Sequence, residues 1–120
     1  MPATARLHRW DQLPKDDPMK GISRRRIIGE QMMISQVSLK KGAFVPTHAH
    51  TNEQFACIVS GRLTFVIGNE GDPSRKTIIA SAGEVLHLPS NVPHSALADE
   101  DTLVLDMFSP PSATTGVDRH

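Results

Sequence analysis

The chain is predicted to be all-β, a sandwich or barrel of which a double-sheet jelly roll is one solution. Three observations predict it. Short segments with apolar residues at period two recur between residues 27 and 108. The gaps between them repeatedly hold Gly or Pro, and no segment carries a helical stripe at spacing three and four. At 120 residues the chain is also too short to divide its core, so a single domain is expected.

Residues 1–23 are polar, contain Pro2, Pro14 and Pro18, and show no sustained period. They read as an arm with room for one short strand or turn. Leu7 and Trp10 could dock on the barrel or on a partner, and His8 reads as a surface histidine. The run Arg24-Arg25-Arg26 reads first as a solvated charge cluster. The sharper alternative turns one of them, Arg24 or Arg26, into a pocket to pair with a substrate carboxylate.

Residues 27–39 suit a strand, with Met33, Ser35, Val37 and Leu39 on one face and Met32, Ile34, Gln36 and Ser38 on the other. KKG at 40–42 is a turn. The next extended run carries His48 and His50, and another strand follows from Phe55 to Val59. There Phe55, Cys57 and Val59 face away from Gln54, Ala56 and Ile58. Both faces are largely apolar, as in a strand lying between an interior and a covering layer. Cys57 reads as a small buried hydrophobe. Residues 63–67 form a further strand, and GNEGDPSR at 68–75 is a hairpin connection. Four more short strands are expected at 76–80, 85–88, 94–98 and 103–108. His87, inside the second of these, reads as a structural histidine. The tail 110–120, ending at His120, has two prolines and should trail over the surface. The resulting plan is an arm (1–23), a barrel (24–109) and a tail (110–120).

Composition narrows the partners. Lys plus Arg is 13 and Asp plus Glu is 13, which supports neither a nucleic-acid groove nor a polybasic membrane patch. No apolar run approaches the roughly 18 residues of a spanning helix, and MPATARLHRW lacks the apolar core of a secretion signal. Cys57 is the sole cysteine, so there is no internal disulfide. A reducing compartment, the cytoplasm, is the expectation, with a bacterial periplasm as the alternative. Apolar residues on both strand faces would let the outer sheet be buried in a homodimer.

The chemistry concentrates in GAFVPTHAHTNEQFACIVSG at 42–61 and in PSNVPH at 89–94. His48 and His50 stand two apart, so in an extended run both imidazoles leave one face. Gln54 has the same parity, and His94 follows a turn stiffened by Pro89 and Pro93. Three neutral nitrogens and one side-chain carbonyl oxygen suit a divalent first-row metal with positions left open. Farther on, Asp106 shares a face with Val104 and Phe108. A carboxylate in an otherwise apolar strand is costly unless it is paired, hydrated or near a cation. It reads as a functional acid turned towards the metal pocket, with a structural ion pair as the alternative. Glu53, of opposite parity to Gln54, reads as support or plain structure.

Residues 42–98 resemble both motifs of the cupin superfamily. Gly42, His48, His50 and Gly61 match the first motif, with Gln54 at its acidic position. Gly83, Pro89 and His94 match the second. Gln54 for Glu, Asn91 for Gly and Ala98 for Asn are departures, and the first makes the site more positive. A narrower resemblance rests on Trp10, the arginine run, Glu53-Gln54, GRLTFVIG, PSNVPH and LDMFSPP at 105–111. It is to the KdgF-type pectin-degradation cupins, from which Thr51 and Asn52 depart.

That resemblance implies a double-stranded β-helix, the jelly-roll barrel of the cupins. It implies one divalent transition metal per subunit (Ni, Zn, Mn or Fe) on His48, His50, Gln54 and His94. It also implies conversion of a cyclic 4,5-unsaturated uronate to an open-chain keto form, with Asp106 catalytic and Phe108 at the substrate. The ligand set would also serve a metal-dependent dioxygenase on a small enolic compound, or a binding module without turnover.

Overall fold

The computed structural model of the protein describes residues 4–112; the expected tail beyond 112, with His120, lies outside the described residues. A 3-10 turn, Trp10–Gln12, precedes ten strands in that span. In chain order they are β1 (Asp16–Met19), β2 (Ile22–Ile28), β3 (Met33–Leu39), β4 (Phe44–His48), β5 (Glu53–Ser60), β6 (Arg62–Ile67), β7 (Lys76–Ser81), β8 (Val85–Leu88), β9 (His94–Ala98) and β10 (Thr102–Ser109). They form a six-stranded sheet ordered β1-β2-β3-β10-β5-β8 and a four-stranded sheet ordered β4-β9-β6-β7. Neighbouring strands are antiparallel throughout, and the two sheets make the all-β jelly roll of the cupin fold.

Period two in the sequence becomes inside and outside in the sheets. On β3, Met33, Ser35, Val37 and Leu39 are buried; on β10, Thr102, Val104, Asp106 and Phe108 are. The inner faces meet in one core, with Val37, Leu39, Ile58 and Val104 of the larger sheet and Val45, Leu63 and Phe65 of the smaller. Three rows of Cα partners cross the larger sheet's inner face. One runs Ile28, Met33, Phe108, Gln54, Leu88; the next Arg26, Ser35, Asp106, Ala56, Leu86; the third Arg24, Val37, Val104, Ile58. Polar side chains thus enter the interior at chosen points of an apolar lattice.

Several expectations need correction. Residues 27–39 are not one strand: the chain turns between β2 and β3, where the Gly29 N–H donates to Met32 O at 2.8 Å. The arginine run is itself strand, lying in β2. The arm, by contrast, holds a short strand of the kind allowed for it: β1, which pairs with β2. Cys57 is only half-buried, since it lies on the outward face of β5 opposite Val85. Its burial thus differs from that of Ala56 and Ile58, which face the core. Among the described residues, no helix is long and apolar enough to cross a membrane.

Candidate metal centre

Four candidate ligands reach one end of the jelly roll from three directions. His48 ends β4 and is the Cα partner of His94, the first residue of β9. Gln54 comes from β5 in the opposite sheet. His50 lies beyond β4, in the connection to β5, and not on a strand as expected. The strand therefore bends away after His48, and the loop completes the approach that strand parity promised. Ligand atoms of His48, His50 and His94 lie within 4.8 Å of one another.

Each imidazole is fixed by its other nitrogen. Nδ1 stands 2.9 Å from Pro46 O in His48, 2.9 Å from Asn52 O in His50 and 2.8 Å from Val92 O in His94. A carbonyl only accepts, so Nδ1 carries a proton in all three, which leaves the Nε2 atoms as the metal-facing ones of the cluster. Metal-binding histidines use this arrangement, in which a second partner sets tautomer and ring plane. Burial holds the His94 pKa down to about 4; the bond to Val92 O pulls it back up, and His48 and His50 push it further down. At neutral pH the His94 imidazole is uncharged.

Gln54 links this cluster to Asp106. Its Oε1 is 3.1 Å from His50 Nε2, while its Nε2 donates to Asp106 Oδ1 at 3.0 Å. With the proton of His50 on Nδ1 alone, Nε2 and Oε1 are both acceptors, an arrangement that a cation between them would satisfy. Ligands held at right angles about 2.1 Å from one ion are separated by about 3.0 Å. The donor set, three imidazoles and an amide oxygen, therefore fits a divalent transition metal.

Asp106 is 6% exposed. Burial pushes its carboxyl up to about 7, against the Gln54 hydrogen bond, which lowers it. His48, Gln54, His94 and Asp106 line a cavity of about 40 Å³ with apolar walls that include Val37 and Phe65. That is space for about three waters. Phe108 meets His50 edge-on, with ring centroids 5.7 Å apart.

Arg24 and Arg26 lie on β2, which β3 separates from the Asp106 strand β10. Arg24 is buried and forks onto Asp16, Nε to Oδ1 at 3.1 Å and Nη2 to Oδ2 at 3.0 Å. Arg24 thereby holds the Asp16 carboxyl below its usual range. Arg26 shares its row with Asp106, separated by the small, buried Ser35. His87 lies outside the site, bonded to Glu53 at 2.8 Å and stacked on Phe55 at 4.7 Å. Sequence reasoning marks Asn52 only as a departure from the KdgF-type pattern beside the histidine pair, and gives neither it nor Ser35 a role in the site.

A cupin-domain profile matches residues 35–109. No curated protein matches the sequence significantly. Among solved structures, KdgF from Halomonas sp. is 26% identical, with 94% of this chain aligned to 100% of that one at a TM-score of 0.81. An RmlC-like cupin from Shewanella frigidimarina NCIMB 400 is 21% identical, with 94% and 97% covered and a TM-score of 0.81. Oxalate decarboxylase from Bacillus subtilis, studied for its Mn(II) centres, is 20% identical. There 96% of this chain covers 33% of that one at a TM-score of 0.80, so the likeness is of fold. The profile spans both histidine segments and the Asp106 strand, and the chain belongs to the cupin superfamily and resembles KdgF.

Proposed function

We propose that this metal-dependent cupin converts a cyclic 4,5-unsaturated uronate into its open-chain keto form. The observation that carries the proposal is the Gln54 amide, which turns its oxygen to His50 and its N–H to a buried Asp106. The likeness to KdgF over the whole length of that protein supports it. His48, His50, Gln54 and His94 would hold one divalent ion (Ni, Zn, Mn or Fe). When bound, that ion supplies positive charge to substrate carboxylate or hydroxyl oxygens and to negative charge developing in the reaction.

The remaining work falls to this chain. The conversion is an isomerisation. The anomeric hydroxyl loses its proton, its C–O bond becomes a carbonyl, and the ring C–O bond breaks. The released enolate closes to a ketone as C4 takes up a proton. Asp106 accepts the first proton and returns one to carbon. A carboxyl near pH 7 serves both directions at neutral pH. Gln54 keeps the carboxyl in place by donating to Oδ1, and Phe108 provides a flat wall beside His50. Arg26 pairs with the substrate carboxylate, while Arg24 anchors the arm behind it through Asp16. A lone thiol fits a cytoplasmic enzyme, and the exposed apolar side chains of Phe55, Val59 and Val85 fit a homodimer.

The test is anaerobic turnover of short unsaturated uronates by metal-free protein and by protein loaded with each candidate metal. Loss of the 4,5-double bond should require metal and no oxygen. Turnover of a small enolic compound that consumes oxygen would instead identify a dioxygenase. A fully loaded protein that turns over no uronate would be a binding module.

A further inference from the structure

Asn52 has no part in the chemistry above, yet it is 4% exposed and sits between the ligand His50 and the strand β5. His48 and His94 are strand residues, held by the ladder they share. His50 has no ladder. Its backbone oxygen accepts from the Asn91 N–H at 2.8 Å, and its ring Nδ1 donates to Asn52 O at 2.9 Å. The Asn52 side-chain amide in turn donates through Nδ2 to Pro110 O, just past the end of β10. The chain of contacts runs from the metal-facing ring, through a backbone carbonyl, to a buried amide tied 58 residues away.

We infer that Asn52 is a positioning residue for His50. Its tether fixes the carbonyl that sets the tautomer and ring plane of a metal ligand carried on a loop. Because Pro110 follows the strand bearing Asp106 and Phe108, the same tether joins the ligand loop to β10. Removing the amide frees the 49–52 connection at one end, and the Asn52 carbonyl leaves the ring. Loss of such an outer partner weakens metal binding by about 10- to 100-fold.

This inference rests on the metal-centre reading, and the experiment separates the two. Affinity for Ni²⁺ and Zn²⁺ is measured by competition with a chromophoric chelator, after each metal-free variant is shown to be folded by its thermal transition. Asn52→Ala removes the tether, and Asn52→Leu removes it while keeping side-chain bulk. Ser109→Ala cuts a neighbouring tie, Ser109 Oγ to Gln31 O at 2.6 Å, that does not touch the ligand loop. Both Asn52 variants should bind about 10- to 100-fold more weakly, and Ser109→Ala within about twofold of wild type. Asn52 variants that bind within twofold of wild type, or an equal loss in Ser109→Ala, would overturn the inference and leave the centre standing. A wild-type protein that binds neither ion would overturn both. If neither Asn52 variant folds, hydrogen exchange of the Asn52 side-chain amide decides in wild type. Coupling is reciprocal, so metal loading must slow that exchange, and an unchanged rate would refute the tether.

Discussion

At the scale of the residue, the proposed function divides the work between two buried groups, His94 to hold an ion and Asp106 to move a proton. Asp106→Asn keeps the size of the side chain and an acceptor for Gln54 but cannot take up the proton. Single-turnover rates should fall by about 100- to 10,000-fold at equal metal occupancy. His50→Ala should lose metal and activity together in a direct metal count. The same groups shape stability in the metal-free protein, with opposite signs. His94 falls from 6.5 to about 4 on folding, so between those values the unfolded chain binds the extra proton and stability drops as pH falls. Asp106 rises from 3.8 to about 7, so the folded chain binds the extra proton and stability drops as pH rises through that window. The two slopes offset one another between about pH 4 and 6.5. Asp106→Asn unmasks His94: the variant should melt higher as pH rises from 4 to 6.5 and exceed wild type at pH 8, with a ceiling of about 4 kcal/mol. Thermal melts of metal-free protein across that range check it, and parallel profiles would refute the offset.

At the scale of the element, the strands that alternate apolar and polar residues were legible, and the ones built on tertiary pairing were not. The strands from β5 onwards lie close to where periodicity and turn residues put them. β2 was hidden because its inward positions include Arg24 and Arg26, and an arginine in a core row looks like a surface residue until Asp16 is found opposite it. His50 could be recognised as a ligand candidate by its spacing, but not as a loop residue, since parity says nothing about where a strand ends. Gln54 and Asp106 shared the inward parity that was read for them, but their mutual bond joins residues 52 apart and leaves no local trace. Turns give a separate test. Gly61 has φ +90°, and a Cβ there would fall on Asp101 O and on Thr102 Oγ1 and Cα. Gly42 has φ +88° but open space around it. Gly42→Ala should cost only the left-handed backbone penalty of about 1–2 kcal/mol, and Gly61→Ala about 1–3 kcal/mol more from the clash. Urea denaturation should rank them in that order.

At the scale of the whole molecule, the apolar outer face of the larger sheet remains exposed. Phe55, Val59 and Val85 are 41%, 49% and 58% exposed on β5 and on the edge strand β8. A two-fold partner covering this face would account for them, and Val59→Lys should then weaken self-association while metal affinity holds. Sedimentation velocity decides it, with a wild-type monomer at micromolar concentration counting against the dimer. The other whole-molecule property is charge. The four proposed ligands carry no formal charge, and the chain as a whole has a formal charge of zero and a pI near 7.0. Loading one divalent ion adds two charges to the particle, less any proton that binding releases. Electrophoretic mobility at about pH 6, where metal-free Asp106 is mostly protonated, reads that change. A loaded species displaced by two charges has kept the Asp106 proton, and one displaced by nearer one charge has given it to the solvent.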